Sequence, residues 1–406
     1  MHISKKMSVL ALALAAGLPA SAQAPKISGL VQIWYTQMMD SNLRQNSNTG
    51  PYDIRGEFRE NGFSVRRTEI KLAGSVGDDV DWEVMFDPTI TSLPVLQDAA
   101  VKYKLPNRVE FRVGQFKNMQ TLEGMTSSSE LILIERSQMA KRFGDVRDRG
   151  AVASIGFGDA KGFGGRFHLG MFNANAKGNE TNAQKDTVAR LELNYGKLHT
   201  FGAYTLQGST NLSDKSTGND TLKGGTFTVY GNGTAPTPAE VLDNKDATNQ
   251  IGAYYRFQDD KFHASVELIT GQIGRLYPSL VTTAGASVNG NRKHLDQQFL
   301  GYVTTFGYTF GRHSFIGRYD LLNYNYGDKW YGDGNPYVNT VNGTDFTPTY
   351  TETTLGYTYA FLPEKLKNAN IKVNYVLRSK NFLQPRPGQT GEQGGDTLYV
   401  CFQTAF

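Results

Sequence analysis

The sequence is short of the features that stabilise or anchor many exported proteins. Its one cysteine, Cys401, cannot form a disulfide within the chain. Beyond residue 22 no long apolar run occurs, so we expect no transmembrane helix. Only 3 tryptophans and 14 prolines stand beside 44 glycines, 21 tyrosines and 23 phenylalanines, a balance that suits many strands joined by turns. Hydrogen bonds and packing alone must therefore hold the fold together.

Residues that carry chemistry are scattered. Lys and Arg number 42 and Asp and Glu 38, a formal net charge of +4, and no run of one sign predicts nucleic-acid binding. The histidines are dispersed, no G-x-S-x-G motif occurs, and no His/Cys group has metal-ligand spacing. We therefore expect no enzyme, no metal and no cofactor. An outer-membrane hydrolase is the less favoured alternative.

The N-terminus predicts a secretory signal peptide. Lys5 and Lys6 precede an apolar run over residues 9–18, and Ala-Ser-Ala at residues 20–22 fits a cleavage site. A membrane span would need about 20 apolar residues, more than this run supplies. We predict a signal peptide over residues 1–22 and one mature domain over residues 23–406, because cleavage after Ala24 would leave a proline first.

Period-2 alternation recurs along the mature chain. In TEIKLAGSV, Ile70, Leu72 and Val76 share one face and Lys71 lies on the other. Comparable stretches include VDWEVMFDP, RVEFRVGQFK, ARLELNYG and NIKVNYVLRSK. Full charges at successive positions on one face suit a water-filled lumen better than the surface of a soluble β-sandwich. At ~10 residues per strand plus loops, the chain predicts an all-β fold, a transmembrane antiparallel β-barrel of about 16 strands.

The C-terminus and the loop lengths favour a barrel in the bacterial outer membrane. TLYVCFQTAF alternates and ends in Phe406, which we interpret as a signal for the barrel assembly machinery. Tight turns such as SVGDDVDW contrast with long polar stretches at residues 209–248 and 326–353. Short turns on one side and long loops on the other are typical of barrels surrounded by outer-membrane lipid. A secreted soluble β-protein is the alternative.

One segment is too long for a hairpin turn. GQFKNMQTLEGMTSSSELILIERS, residues 114–137, follows the strand RVEFRV and precedes a strand that begins near Arg149. Such a segment can fold into the lumen, with LILI packing on the wall and its serines and charges in the solute path. It can equally lie outside as a loop or a subunit contact, because a buried loop must satisfy its own backbone groups.

The same segment, followed by FGDVRDRG, resembles the phosphate-selective porin O/P family of outer-membrane channels. That family has a strand ending in GQFK, then LE, a TSS-type element, an ERS element and an arginine-containing turn. Further similar segments follow in order: FSVRRTEIKLAGSV, GMFNANA, HASVE, TLGYTYAF, IKVNYVL and FQTAF. The resemblance implies a 16-stranded barrel, a homotrimer, an inward-folded constriction loop and a basic lumen that draws anions, phosphate among them.

Individual residues match the family's motifs. Arg66 and Arg67 match the paired arginines of an early strand, and Lys117 matches the lysine of GQFK. The serine pair of the TSS element corresponds to Ser127 and Ser128.

The chain departs from the family at one point. Phosphate-selective members resemble one another in a lysine directly after the serine pair, where this chain has Ser129 and then Glu130. An acid near the constriction repels phosphate, so the departure bears on phosphate selectivity more than on anion passage.

Strand parity adds further charges to the lumen. The basic residues placed on inward faces are Arg67, Lys71, Lys102, Lys104, Arg112, Arg190 and Arg318, with Asp87, Glu110 and Glu267 on the same side. Arg66 adjoins Arg67, and neighbours cannot both point inward on a regular strand, so we expect a bulge or an interface there.

These residues predict a passive channel for small anions. Arg, Lys and Ser offset part of an anion's dehydration cost through hydrogen bonds, and dispersed cations release the ion again. We expect phosphate among the solutes and Asp87 and Glu130 as modulators of the constriction. The alternative is a general diffusion porin with little selectivity, which Glu130 and the small net charge favour.

Overall fold

The computed structural model describes most of the barrel. The described residues are 24–39, 61–90, 95–159, 161–174, 185–211, 219–222, 225–228, 245–276, 294–323, 326, 340–341, 344–345, 349–362, 365, 367–379 and 396–406. The predicted signal peptide and its cleavage site lie outside them, as do most residues of the two long polar stretches.

Twenty strands lie within the described residues. The first nine are β1 (Lys26–Met38), β2 (Gly62–Val76), β3 (Val80–Phe86), β4 (Leu96–Leu105), β5 (Val109–Lys117), β6 (Arg147–Gly158), β7 (Phe163–Phe172), β8 (Asp186–Tyr195) and β9 (His199–Asn211). The remainder are β10 (Asn219–Leu222), β11 (Gly225–Thr228), β12 (Lys245–Gln258), β13 (Phe262–Leu276), β14 (His294–Phe310), β15 (His313–Asn323), β16 (Thr340–Val341), β17 (Thr344–Asp345), β18 (Thr349–Ala360), β19 (Ala369–Arg378) and β20 (Thr397–Ala405).

Sixteen of these strands form one closed antiparallel barrel, which confirms the predicted fold and strand number. Barrel neighbours follow chain order, except that the small hairpins β10–β11 and β16–β17 stand apart, so β9 pairs with β12 and β15 with β18. The barrel closes where β20 pairs with β1, with Met38 opposite Thr397. Closure pairs the backbone groups of every wall strand, as a lipid environment requires.

Side chains alternate across the wall as the sequence predicts. On β20, Phe402 is exposed outward, whereas Tyr399, Cys401 and Gln403 are buried on the inward side. Outward aromatic rings meet near both ends of the wall: Tyr35 and Phe63 have ring centroids 5.0 Å apart near one end. Near the other, Phe262 and Tyr308 are also 5.0 Å apart. The outward face is therefore apolar with aromatic margins, and the inward face is mostly polar.

The two ends of the barrel differ in their connections. One end carries tight turns, including residues 196–198 between β8 and β9 and residues 311–312 between β14 and β15. Gly196 and Gly311 adopt left-handed backbone angles there, with φ of 59° and 57°, which glycine accepts without strain. Connections at the other end are longer, and residues 118–146 between β5 and β6 are one of them.

Among the residues that the structure describes, helical structure is short and lies outside the wall strands. A tight helical turn spans Pro106–Arg108, α1 spans Leu122–Met125, a further helical turn spans Ser128–Glu130, and a wide helical turn spans Ala140–Gly144. Within the described residues, no helix is long and apolar enough to cross a membrane.

Candidate pore and its constriction

Residues 118–146, which we call the constriction segment, cross the inside of the barrel. The backbone N–H of Leu122 donates to Glu267 Oε1 of β13 at 2.7 Å, and Lys372 Nζ of β19 donates to the Leu131 carbonyl at 2.5 Å. The N–H of Gln138 donates to Asp320 of β15. Inward side chains of three wall strands thus hold the backbone of the segment, so the predicted inward fold is confirmed and the outward alternative is excluded.

Apolar side chains fix the segment to the wall. Leu131, Leu133 and Ile134 of the LILI run are buried, and Ile134 belongs to a cluster with Trp34, Val376, Tyr399 and Cys401. LILI is therefore the packing patch that the sequence predicted. A second contact lies further along, where the rings of Phe143 and Phe299 stack with centroids 4.1 Å apart.

The paired arginines of β2 hold the segment by charge. Gln32 lies opposite Arg67 but Ile33 lies opposite Val65, so Arg66 is the extra residue of a β-bulge. The bulge lets both arginines reach Glu135, Arg66 at 3.2 Å and Arg67 at 2.9 Å. Of the two explanations that the sequence left for Arg66, a bulge or an interface, the structure shows the bulge.

Glu135 is held ionised by its surroundings. Burial alone raises the pKa of this carboxyl, but the charges of Arg67, Lys141 and Arg66 outweigh burial and hold the pKa well below its usual range. A carboxylate inside the barrel thus carries the ionic attachment to β2.

Two further arginines of the wall are buried anchors. Arg318 of β15 donates to Glu123 Oε1 at 3.2 Å and to the Glu135 carbonyl at 2.8 Å, and it pairs with Glu352 at 3.2 Å. Arg190 of β8 donates to Tyr254 Oη at 2.5 Å and pairs with Glu192 at 3.4 Å. Both point inward as parity predicts, and the terminal guanidinium nitrogens of both bind the segment or the wall.

Arg190 also stabilises a strained stretch of backbone. Met119 and Thr121 have positive φ angles of 67° and 51°, which cost side-chain-bearing residues about 1–3 kcal/mol each. Arg190 Nη1 donates to the carbonyls of both residues, at 3.3 and 3.4 Å. The entry of the segment into the lumen therefore depends on a wall arginine.

Arg136 within the segment and Lys117 at the end of β5 join distant parts of the segment to one another. Arg136 is 1% exposed, donates to the carbonyls of Glu123 and Thr126, and pairs with Asp145 at 3.1 Å. Lys117 Nζ donates to the Gly124 carbonyl at 2.5 Å and pairs with Asp145 at 3.2 Å. Burial opposes ionisation of Asp145, yet Arg136 and Lys117 lower the pKa of its carboxyl.

An open part of the lumen lies between the segment and the wall from β1 to β8. A cavity of about 890 Å³ is lined there by eight basic and six acidic side chains: Lys26, Lys71, Lys102, Lys117, Arg112, Arg147, Arg166, Arg190, Glu69, Asp81, Glu83, Asp98, Glu110 and Glu192. Met119, Met125, Ser127 and Ser128 of the segment form the facing rim. This cavity therefore has the segment on one side and the charged side chains of the wall on the other.

Cations and carboxylates alternate on that wall in what we call the charge ladder. Lys71 pairs with Glu83 at 2.5 Å, and Arg112 pairs with the same carboxylate. The other pairs are Lys102–Asp81 at 3.0 Å, Lys104–Asp81 at 2.8 Å and Arg166–Glu110 at 2.5 Å.

Within the ladder the cations face the water more than their partners do. The Lys71 side chain is 37% exposed against 20% for Glu83, and Arg166 is 44% exposed against 21% for Glu110. Ion pairs between such exposed groups are weak, so a passing ion can compete for them. The ladder thus presents more positive than negative surface to the pore.

Comparison with known protein families identifies the family of this chain. The family model for phosphate-selective porin O and P matches residues 39–314. The chain belongs to this family. It is a porin, an outer-membrane channel, and the segment that crosses its barrel occupies the position where the sequence resemblance placed a constriction.

Solved structures of other chains have the same fold at low identity. The outer membrane channel DcaP of Acinetobacter baumannii is 13% identical, with a TM-score of 0.55 over 96% of this chain and 99% of that chain. The outer membrane protein OmpT of Vibrio cholerae, in its trimer form, is 10% identical, with a TM-score of 0.55 over 94% and 99%. OmpF of Salmonella typhi, solved with daunomycin, is 10% identical, with a TM-score of 0.52 over 96% and 99%. A comparison with curated proteins finds no match.

The serines of this porin lie at the rim of the pore. Ser127 is exposed and its hydroxyl lies 3.1 Å from that of Ser129, whereas Ser128 is buried. Both members of the serine pair line the cavity. Their geometry suits hydroxyl donors to a solute, and that role stays a prediction.

Neither of the two acids expected to modulate the constriction lines that cavity, and their role stays a prediction. Asp87 is buried and accepts from Thr68 N and from both N–H and Oγ1 of Thr89, so it caps the turn after β3. No hydrogen bond or ion pair within the described residues joins its carboxylate to the constriction segment. Glu130 is exposed and lines a separate cavity of about 250 Å³ near the tight-turn end, with Lys261, Lys367 and Lys372.

Sequence reasoning missed the acids and the arginine inside the segment. Glu123 and Glu135 bind arginines of the wall and Arg136 joins parts of the segment, yet these residues figured only as letters of the LE and ERS elements. Charged residues flanking LILI in an otherwise lumen-facing loop were the available signal, because a buried charge needs a partner.

One histidine contact bears on chemistry in the pore. Ser154 Oγ and His168 Nδ1 lie 2.7 Å apart on the inward faces of β6 and β7. Within the described part of the chain, no carboxylate hydrogen-bonds the other ring nitrogen, so a catalytic triad is not assembled there. No group of three potential metal ligands occurs in that part of the chain either.

Proposed function

We propose that this porin is a passive channel that prefers small anions, including phosphate, and catalyses no reaction. The observation that carries the proposal is the asymmetry of the charge ladder, in which each basic side chain is more exposed than its carboxylate partner. Eight basic against six acidic side chains around the cavity act in the same direction.

The proposed mechanism is exchange of partners along the wall. An anion that enters the pore contacts the exposed cations of β2, β4, β5 and β7. These cations donate hydrogen bonds that replace part of the water the anion has lost. Because each cation keeps a carboxylate beside it, the anion is displaced again by the original partner. Weak, repeated contacts of this kind permit throughput.

The proposal is tested with purified protein in a planar bilayer. A reversal potential across a KCl gradient gives the ratio of anion to cation permeability, and phosphate added to the chloride bath reports on its occupancy. We expect anion preference and a fall in chloride current with added phosphate. Equal permeability of both ions contradicts the proposal.

A general diffusion porin with little selectivity is the second candidate. It is favoured by the pairing of all five ladder cations and by the Arg190–Glu192 pair, where the acid is the more exposed partner, 35% against 4%. The two candidates separate on phosphate: a general porin shows the same chloride current with and without it.

We further propose that the porin is exported by its cleaved signal peptide and assembles as a homotrimer. The OmpT relative in trimer form and the family resemblance support the oligomer. Phe406, which is exposed beside the β1–β20 closure, suits recognition by the assembly machinery. Mass measurement of the mature protein and sedimentation of the detergent complex test these points, and a monomer or an uncleaved N-terminus contradicts them.

A further inference from the structure

One constellation of side chains occurs twice on the outward face at the tight-turn end. In the first copy, His199 Nδ1 lies 2.8 Å from Tyr255 Oη, across the β9–β12 pair. In the second, His313 Nδ1 lies 2.8 Å from Tyr357 Oη, across the β15–β18 pair.

The surroundings of the two histidines match as well. Each is followed two residues later by a phenylalanine that packs on the same tyrosine, Phe201 at 4.9 Å and Phe315 at 5.4 Å between ring centroids. Each also packs at 5.3 Å on the ring directly opposite, which is Phe257 in one copy and Tyr359 in the other.

A basic residue precedes each histidine in the turn. Lys197 and Arg312 are exposed, and neither forms an ion pair with any residue that the structure describes, although Arg312 Nη1 donates to the Phe361 carbonyl at 3.3 Å. Gly196 and Gly311 share a left-handed φ, but Lys197 stands two residues before its histidine and Arg312 directly before. The two copies therefore share a cation, an imidazole, a phenol and an apolar ring in the same order from the turn into the wall.

This succession of a cation, two rings with polar tips and an apolar ring suits the boundary between the headgroups and the acyl chains of a bilayer leaflet. Rings with polar tips prefer the headgroup level, with their apolar bodies toward the acyl chains. When the tyrosine hydroxyl donates to Nδ1, the imidazole carries its hydrogen on Nε2 and can donate to an outside acceptor. Lysine or arginine beside it supplies the positive charge that an anionic phosphate group needs.

We propose that these two His–Tyr girdle sites each bind the phosphate headgroup of an anionic phospholipid in the leaflet at the tight-turn end. The cation and the imidazole contact the phosphate, and the phenylalanine and the opposite ring contact the upper acyl chain. The inference concerns the outer surface of the barrel and is independent of the ion preference of the pore.

Native mass spectrometry of the full, delipidated protein in detergent tests the sites. Phosphatidylglycerol is titrated in, and a diacylglycerol with the same chains serves as the phosphate-free probe. We expect two retained phosphatidylglycerol molecules per chain and no retained diacylglycerol. Equal retention of both probes would overturn the proposal, since it would show contact with the chains alone.

Variants locate the binding. The pair Lys197→Gln and Arg312→Gln should weaken retention about fivefold at each site. His199→Phe with His313→Phe keeps the apolar body and should also lose retention. Lys161→Gln is the matched control, because Lys161 is an exposed turn cation without a His–Tyr pair, and it should change nothing.

Other outcomes count against the sites. A control variant that loses as much as the double variant shows a general charge effect. Unchanged retention in both double variants shows that these strands do not bind the lipid, as when a second copy of the chain covers them. Displacement by millimolar inorganic phosphate without any dependence on acyl chains shows a free-phosphate site instead.

Discussion

The two walls of this barrel use the same residue types for different tasks. On β2 to β7, the cations of the charge ladder stand in water beside less exposed carboxylates, and Arg166 is 44% exposed. On β15, the Arg318 side chain is 2% exposed and is enclosed by Glu123 and Glu352. An inward-pointing arginine is thus a pore residue on one wall and a structural anchor on the other, and the covering segment decides which.

The largest effect is expected from breaking an anchor. Arg318→Met leaves Glu123 and Glu352 short of a buried partner, and such a loss costs about 3–5 kcal/mol. We expect the constriction segment to detach and single-channel conductance to rise, with a lower melting temperature. Unchanged conductance would mean that apolar packing alone holds the segment.

Acid should break the same attachment in the unmodified protein. The Glu135 pKa is lowered on folding from a usual value of 4.5, so the ionised carboxylate stabilises the folded segment. This stabilisation is fully present above pH 4.5 and is lost as the pH falls through the lowered, folded-state pKa. The part of the attachment that depends on Glu135 should stay constant down to about pH 4.5, so the change in conductance that this carboxylate causes is expected only below that pH.

The matched control for acid is Glu135→Gln. It cannot titrate, so its conductance should not show the acid-dependent change, although its segment is held less firmly at neutral pH. An acid transition of the same midpoint in this variant would assign the effect to other groups.

Changes in the ladder should alter selectivity and little else. Lys71→Gln with Arg166→Gln removes two exposed cations, whose ion pairs contribute about 0–1 kcal/mol each. We expect a lower ratio of anion to cation permeability in the reversal potential, with an unchanged melting temperature. Glu83→Gln with Glu110→Gln is the opposite control and should raise the ratio.

The smallest effect is expected at the rim of the segment. Ser129→Lys places a lysine directly after the serine pair, and an exposed contact of about 0.5–1 kcal/mol should make phosphate inhibit chloride current at roughly two- to fivefold lower concentration. Ser129→Gln is the neutral control. Equal inhibition in the two variants would show that this position does not face the solute.

The sequence predicted the wall better than the site. Period 2 is a local property, so strand parity placed Lys71, Arg112 and Arg318 inward without knowledge of any partner. Whether an inward cation is exposed depends on residues 118–146, which are distant in sequence from most of these strands. Strand alternation gives the direction of a side chain but not its exposure. Exposure is set by tertiary packing, and this is why ladder and anchors looked alike.

Two local irregularities show the same limit. Both Arg66 and Arg67 reach Glu135 only because a bulge opposite Gln32 and Ile33 suspends the alternation. Asp87 has inward parity but is followed by Pro88 and Thr89, a turn signal, and its carboxylate is used by that turn.

The pairing of β1 with β20 affects how the barrel folds, because it closes the barrel. The Gln32 and Gln403 side chains are joined at 2.8 Å across 371 residues of chain. Closing so long a loop costs conformational entropy before the contact contributes any stability. Contacts between residues this distant in sequence therefore slow folding. Until β20 arrives, two strand edges stand open, and open edges pair with other chains. A chain cut before residue 397 should therefore aggregate rather than form a smaller pore, because without β20 the sheet cannot close into a barrel.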